Sequence, residues 1–264
     1  MFKTRVISSI SMLIIFLISF FILDSWAFIA LSSFVSIVAL YELGLLLNLK
    51  LTQKVILWAS SLLVFIYFYY FGIANINIIL FGSLIFWLLF APFHLRNKFL
   101  IPVNLKIFFG IILIVPLWVS VLWLFSLNKL FLLYIFVSIF IADIGAYLFG
   151  KKFGKHKLMK DVSPGKTIEG ALGAFLLNAI FSFFLSFYVP VDVLLLIACS
   201  ILITILSIFG DLYESLLKRI SGIKDSGSII PGHGGILDRI DGFCSTIPIF
   251  ALLFNYLYVL GVVL

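Results

Sequence analysis

Apolar runs long enough to cross a bilayer follow one another along almost the whole chain, at residues 6–23, 26–47, 55–73, 76–93, 105–127, 130–150, 168–188, 191–217 and 243–264. A membrane helix needs about 20 such residues, whereas a tilted barrel strand needs only about 10. Lipid offers no hydrogen bonds, so each backbone N–H and C=O must be satisfied inside the protein, and runs of this length restrict the chain to spanning helices. The reading is an all-α polytopic membrane protein with about nine transmembrane helices, a single transmembrane domain over residues 1–264. At 64% hydrophobic and 11% charged, the chain has no room for a soluble domain, which would be about half apolar and a quarter charged. Lys3 and Arg5 precede the first run as in a signal peptide. That run ends in Leu23-Asp24-Ser25-Trp26 rather than in a small-x-small cleavage site, so it reads as an uncleaved span. Cys199 and Cys244 lie in apolar runs and read as packing residues.

Charge sets the polarity. With a cytoplasmic N-terminus, every one of the 18 lysines and arginines except Lys129 falls on the inside, as the positive-inside bias requires. The net charge of +7 follows from that bias, with a smaller share available for anionic lipid or nucleotide phosphate. It does not argue for nucleic acid. Two polar segments, 151–167 and 218–242, then share the cytoplasmic face, and the expected location is the inner (cytoplasmic) membrane.

Residues 215–241, SLLKRISGIKDSGSIIPGHGGILDRID, concentrate glycine, base and acid as no other stretch does. Glycine lets backbone approach a ligand closely, and a helix starting near Gly235 would present free N–H groups to an anion. Asp238 and Asp241, three apart, would lie side by side on its first turns. Two carboxylates beside a phosphate site suit Mg²⁺, which takes carboxylate, water and phosphate oxygens. Lys224 and Arg239 can neutralise phosphate charge. Asp143, Asp211 and Glu214 are ionisable groups at or inside apolar spans, where charge is costly and faces a polar cavity. Asp211 and Glu214 share one helix face with Ser207 and Ser215. Against this stand a helix end emerging into water, with Lys218 as the partner of Glu214, and first-turn acids stabilised by the helix dipole. His233 reads equally as phosphate donor, general acid or turn residue. In the loop KKFGKHKLMKDVSPGKT the Gly165-Lys166-Thr167 triplet lacks the P-loop's first glycine, since Lys160 stands there. The loop could hold a triphosphate or be a plain basic loop. Glu169 reads as a cap or ligand, and Glu42 and His94 as structural.

Ser215, Lys218, Arg219, Lys224, Asp225, Gly227, His233, Gly234, Gly235, Asp238, Arg239 and Asp241 match, position by position, the signature that this segment resembles: that of the phosphatidate cytidylyltransferases, or CDP-diacylglycerol synthases. The stretch ADIGAYLFGKKFGKHKL, followed by SPGKTIEG, is similar to that family's other cytoplasmic region, with Gly165 where a lysine is frequent. The resemblance is specific over 105–264, the catalytic helices, and rests on hydrophobicity alone over 1–104. It implies the reaction of CTP with phosphatidate to give CDP-diacylglycerol and pyrophosphate, in phospholipid biosynthesis, with Mg²⁺ and in some members a monovalent cation such as K⁺. It implies metal ligands at Asp211 and Asp238, with Asp241 beside them. The catalytic set is then Lys224, Asp225, His233, Asp238, Arg239 and Asp241. Substrate contacts fall to Lys166, Ser215, Lys218, Arg219, Gly234 and Gly235. CTP, phosphatidate and membrane lipids are the expected partners, and a homodimer is left open. Two other readings stand beside this one. An ion-coupled transporter would use Asp143, Asp211 and Glu214 as a relay, though its unusual residues should then recur in both halves. A sibling CTP-dependent enzyme would act on another lipid phosphate.

Overall fold

The computed structural model describes residues 2–71, 76–229 and 234–259. Helix α1 (Phe2–Leu17) continues into a π-helical turn (Ile18–Ile22), followed by α2 (Ser25–Leu46) and α3 (Leu51–Phe71). Helix α4 (Ile76–Ile85), a second π-helical turn (Phe86–Phe90) and α5 (Ala91–Asn97) form one continuous rod. Helices α6 (Lys106–Leu127) and α7 (Lys129–Phe153) precede a hairpin of β1 (Lys157–Met159) and β2 (Ser163–Thr167), and α8 (Ile168–Leu185), α9 (Val193–Ile220) and α10 (Leu237–Val259) complete the bundle.

Eight helices among the described residues are long and apolar enough to cross a membrane, and the ninth expected run, 6–23, falls on α1 and its π turn, with an apolar helical stretch at Ile10–Ile22. Large apolar side chains such as Ile22, Trp26, Ile78 and Leu194 stand exposed around the bundle. Such a girdle far exceeds what a protein in water leaves uncovered, and lipid is the solvent that suits it. The last span begins at Leu237 rather than at residue 243, because Leu237 to Gly242 wind into the helix despite their charge. His94 lies in α5. Its Nδ1 sits 3.0 Å from the Tyr213 hydroxyl of α9 and its Nε2 2.9 Å from the Phe99 carbonyl.

Small residues set the closest helix contacts. A Cβ placed on Gly145 of α7 would come within 2.8 Å of the Gly173 carbonyl of α8, and one on Gly170 within 2.8 Å of the Ala146 carbonyl. Backbones therefore touch along α7 and α8, the packing that membrane helices use in place of a hydrophobic drive. Asn178 of α8 donates to the Ser138 carbonyl of α7 at 3.0 Å and to Thr204 Oγ1 of α9 at 2.8 Å, joining three helices through a buried polar contact.

The segment between α7 and α8 is a β-hairpin, not a plain basic loop. Lys157 pairs with Thr167 and Met159 with Ser163, antiparallel. Pairing satisfies the backbone of a short return between two antiparallel helices. Thr167 caps α8 by accepting from Gly170 N at 3.1 Å. Glu169 accepts from the backbone N–H of Lys155 and His156 and from His156 Nδ1 at 2.6 Å, so it ties the hairpin base to α8. The hairpin, the C-terminal ends of α2, α5, α7 and α9 and the start of α10 all meet at one end of the bundle. Lys98 Nζ bonds Asp161 Oδ2 at 2.8 Å, Arg219 Nε donates to the Val162 carbonyl at 3.2 Å, and Ser221 Oγ donates to the Leu46 carbonyl.

Candidate active site

Helix α9 is the spine of that end. Asp211, Ser215 and Lys218 follow one another at helical spacing, and Ser215 Oγ donates to Asp211 Oδ1 at 3.3 Å. The end of the hairpin's second strand, where it joins α8, reaches this face: Lys166 Nζ lies 2.5 Å from Asp211 Oδ2. The two residues are far apart in sequence, and the capped, backbone-packed start of α8 aims the lysine.

Helix α10 runs antiparallel beside α9 because its backbone fits against two glycines. A Cβ on Gly210 would overlap the Asp241 carbonyl and Ser245 Oγ, and one on Gly242 would come within 2.8 Å of Ser207 Oγ. Ser245 Oγ donates to the Leu206 carbonyl at 2.7 Å. Asp241 therefore lies against the level of Asp211. It interacts electrostatically with Asp211, Glu214, Asp143 and Lys166, while Asp143 of α7 interacts in turn with Asp211, Lys166 and Arg239.

Asp238 and Asp241 have different protein partners. Lys218 Nζ is held between Glu214 and Asp238, bonding Asp238 Oδ1 at 2.7 Å. The three side chains are 13%, 6% and 10% exposed respectively. Asp238 Oδ2 accepts from Ser226 N at 3.0 Å and Gly235 N at 2.9 Å. Both its oxygens are thus engaged by the protein. Gly234, at φ +81°, needs glycine twice over, since a Cβ there would also come within 2.6 Å of Asp238 Oδ2.

Of the residues read from sequence, Lys166, Asp211, Ser215, Lys218, Gly234, Gly235, Asp238 and Asp241 converge. Lys224 and Asp225 are exposed on the approach to the loop, and Asp225 lies near Gly234. Arg219 points instead to the hairpin, and Arg239 is exposed on the first turn of α10. His233 lies outside the described residues. Sequence reasoning left Asp143, Glu214 and Glu42 outside the assigned site. Glu214 was read only as a carboxylate at the end of an apolar span, and the structure places it on Lys218. Asp143 was visible only as a carboxylate in an apolar run. Glu42, fully buried on α2, accepts from the start of α10, and no pattern around it marks that role.

Among the described residues no three His, Cys, Asp or Glu side chains lie close enough to hold a metal ion as they stand. An all-protein cage is not what Mg²⁺ requires, since it is commonly held by one or two carboxylates with water and substrate phosphate completing the shell. Asp241, with Asp143 beside it, and Asp211, once it gives up Lys166 to substrate phosphate, are hard oxygen donors from adjoining helices that fit that mode. Asp238, with both oxygens committed to Lys218, Ser226 and Gly235, fits it only after giving up Lys218.

Fold and site together define a polytopic helical membrane protein with a cluster of lysine and aspartate side chains at one end, assembled where two antiparallel helices and a basic hairpin meet. Residues 3–257 match the model of the cytidylyltransferase family, and the chain belongs to that family. It is 44% identical over 125 residues to a phosphatidate cytidylyltransferase of Staphylococcus haemolyticus, a stretch covering 47% of this chain and 48% of that protein. Identity to the proteins of the same name from Staphylococcus aureus and Staphylococcus epidermidis is 43% and 42% over the same length. The match spans about half the length of these relatives.

Proposed function

We propose that this chain transfers the cytidylyl group of CTP to the phosphate of phosphatidate, releasing pyrophosphate and leaving CDP-diacylglycerol in the membrane. The observation that carries the reading is the junction of α9, α10 and the hairpin, where Lys166, Asp211, Ser215, Lys218 and Asp241 gather at one end of a lipid-exposed bundle. A lipid phosphate is already a nucleophile near neutral pH, so the chemistry asks for alignment and charge neutralisation rather than an activated serine or cysteine. The lipid phosphate attacks the α-phosphorus of CTP, and the bond to the β-phosphate oxygen breaks in line. Lys166, Arg239 and the exposed Lys224 supply cationic contacts for the polyphosphate. Lys218, locked between two carboxylates, maintains the geometry of the α10 start. Asp211 and Asp241 would hold Mg²⁺, with Asp143 lending charge, and a bound Mg²⁺ would neutralise phosphate oxygens in the transition state. A monovalent cation is compatible with the same acidic group.

The basic end is assigned to the cytoplasm, and the protein to the inner (cytoplasmic) membrane, from the distribution of lysine and arginine. CTP would reach the site from the aqueous side, and the lipid headgroup laterally from the inner leaflet. The purified protein in nanodiscs, given labelled CTP, Mg²⁺ and phosphatidate, is expected to form a labelled CDP-lipid and an equal amount of pyrophosphate. CTP consumption with a polyprenol phosphate but not with phosphatidate would move the reading to the sibling activity. Absence of CTP-dependent pyrophosphate release with either lipid would refute it.

A further inference from the structure

Glu42 sits near the C-terminal end of α2, far in sequence from the α9–α10 junction, and its side chain is fully buried. Its Oε1 accepts from Ile236 N at 3.1 Å. Its Oε2 accepts from Leu237 N at 2.8 Å and from Ser226 Oγ at 3.2 Å. Ile236 and Leu237 are the entry to α10, so the carboxylate takes two N–H groups that have no partner within the helix and meets the positive end of its dipole. Asp238 takes the neighbouring pair, Ser226 N and Gly235 N. Two carboxylates, one from α2 and one from α10 itself, thus clamp both arms of the glycine-rich segment. The fit is close: a Cβ on Gly227 or on Gly235 would overlap the Glu42 carboxylate. The Glu42 carboxylate, joined at Gly235 by Ser226 Oγ, leaves no room for a side chain at either position.

We infer that Glu42 is a positioning residue for the proposed transferase site. It sets the start of α10, and through it the placement of Arg239 and Asp241 against α9, so that part of the chain whose sequence showed only hydrophobicity controls the site. This inference rests on the proposed cytidylyl transfer. Its chemistry makes glutamine an informative replacement. The two backbone N–H groups approach different oxygens of Glu42, so whichever way the substituted amide turns, its NH₂ meets one N–H head-on.

The test compares full-length wild type with Glu42→Gln, Glu42→Asp and Ser226→Ala in nanodiscs. It measures kcat per folded molecule, KM for CTP and for phosphatidate, and hydrogen exchange of the backbone amides 226–241. Glu42→Gln is expected to lower kcat on the order of 10- to 100-fold, since hydrogen bonds to a charged acceptor are lost from a buried site. Both KM values should stay within about threefold, as the substrates do not touch Glu42. Amides of Ile236 and Leu237 should exchange faster. Glu42→Asp, keeping the charge on a shorter arm, should recover part of kcat. A residue that served stability alone would lower the yield of folded protein and leave kcat per folded molecule unchanged, and that result overturns the inference. If Glu42→Gln does not fold, Ser226→Ala carries the test, with unchanged kcat and exchange again overturning it. A wild type that forms no CDP-lipid sinks the proposed reaction. The positioning inference is then judged on exchange alone, and unchanged protection in Glu42→Gln overturns it.

Discussion

Replacing Lys218 by methionine removes one charge and almost no volume, and leaves Glu214 and Asp238 facing each other with no ammonium between them. At 2.7 Å from Asp238 Oδ1, and with an effective dielectric near 20, the Coulomb attraction is about 6 kcal/mol. Desolvation of the lysine offsets much of that. The net cost of removing one partner of a buried ion pair is about 3–5 kcal/mol, and the near-complete burial of all three side chains puts this site in that class rather than among surface pairs worth about 0–1 kcal/mol. For a chain of this size the loss corresponds to a fall in Tm of roughly 10 °C. Fluorescence-detected thermal unfolding in one detergent would read it. The triple variant Lys218→Met, Glu214→Gln, Asp238→Asn should recover most of the loss, because it also removes the uncompensated charges. A Lys218→Met protein melting within about 2 °C of wild type would refute the claim that this lysine neutralises two buried carboxylates.

Gly210→Ala drives a Cβ into the Asp241 carbonyl and Ser245 Oγ, so it should part α9 from α10 and abolish most turnover while the protein still inserts. Gly165→Ala, with nothing within 4 Å of the new Cβ, should change stability by less than about 0.5 kcal/mol, and turnover assays on the pair check the contrast. Chelation of Mg²⁺ should stop CDP-lipid formation, and Asp211→Asn and Asp241→Asn should each raise the Mg²⁺ concentration needed for half-maximal rate; identical Mg²⁺ titrations would remove both from the metal's ligand set. Asp161 is exposed, and the hydrogen bond from Lys98 Nζ holds its carboxyl below the ordinary range. The group is thus more acidic folded than unfolded, so its contact with Lys98 is present above the unfolded pKa and is lost as pH falls through the lowered value. A carboxyl NMR titration of Asp161 should show that lowered midpoint and its return to the ordinary value in Lys98→Met. An ordinary midpoint in the wild type would count against the contact.

Hydropathy determined that this chain is a membrane bundle and roughly where its spans lie, although the charged start of the last span escaped it, and the distribution of lysine and arginine marked which ends carry the bases. Lipid makes that inference direct, because a long apolar run has no alternative to a helix. Local spacing also marked the glycine, base and acid segment ahead of α10, where every member lies within a few turns of the next. What local spacing could not decide was who pairs with whom. Asp238 and Asp241 are three residues apart and read as one pair. Only the antiparallel packing of α9 on α10 sends one to Lys218 and the other toward Asp211. Lys166 reaches Asp211 through a β-hairpin whose pairing is a backbone matter that no side-chain pattern announced. Glu42 is the plainest case. A single carboxylate in an apolar run has no periodicity to expose it, and the partners that give it meaning are two backbone N–H groups on a helix nearly two hundred residues away. Main-chain donors exist at every residue, so only tertiary structure says which of them a buried charge will find.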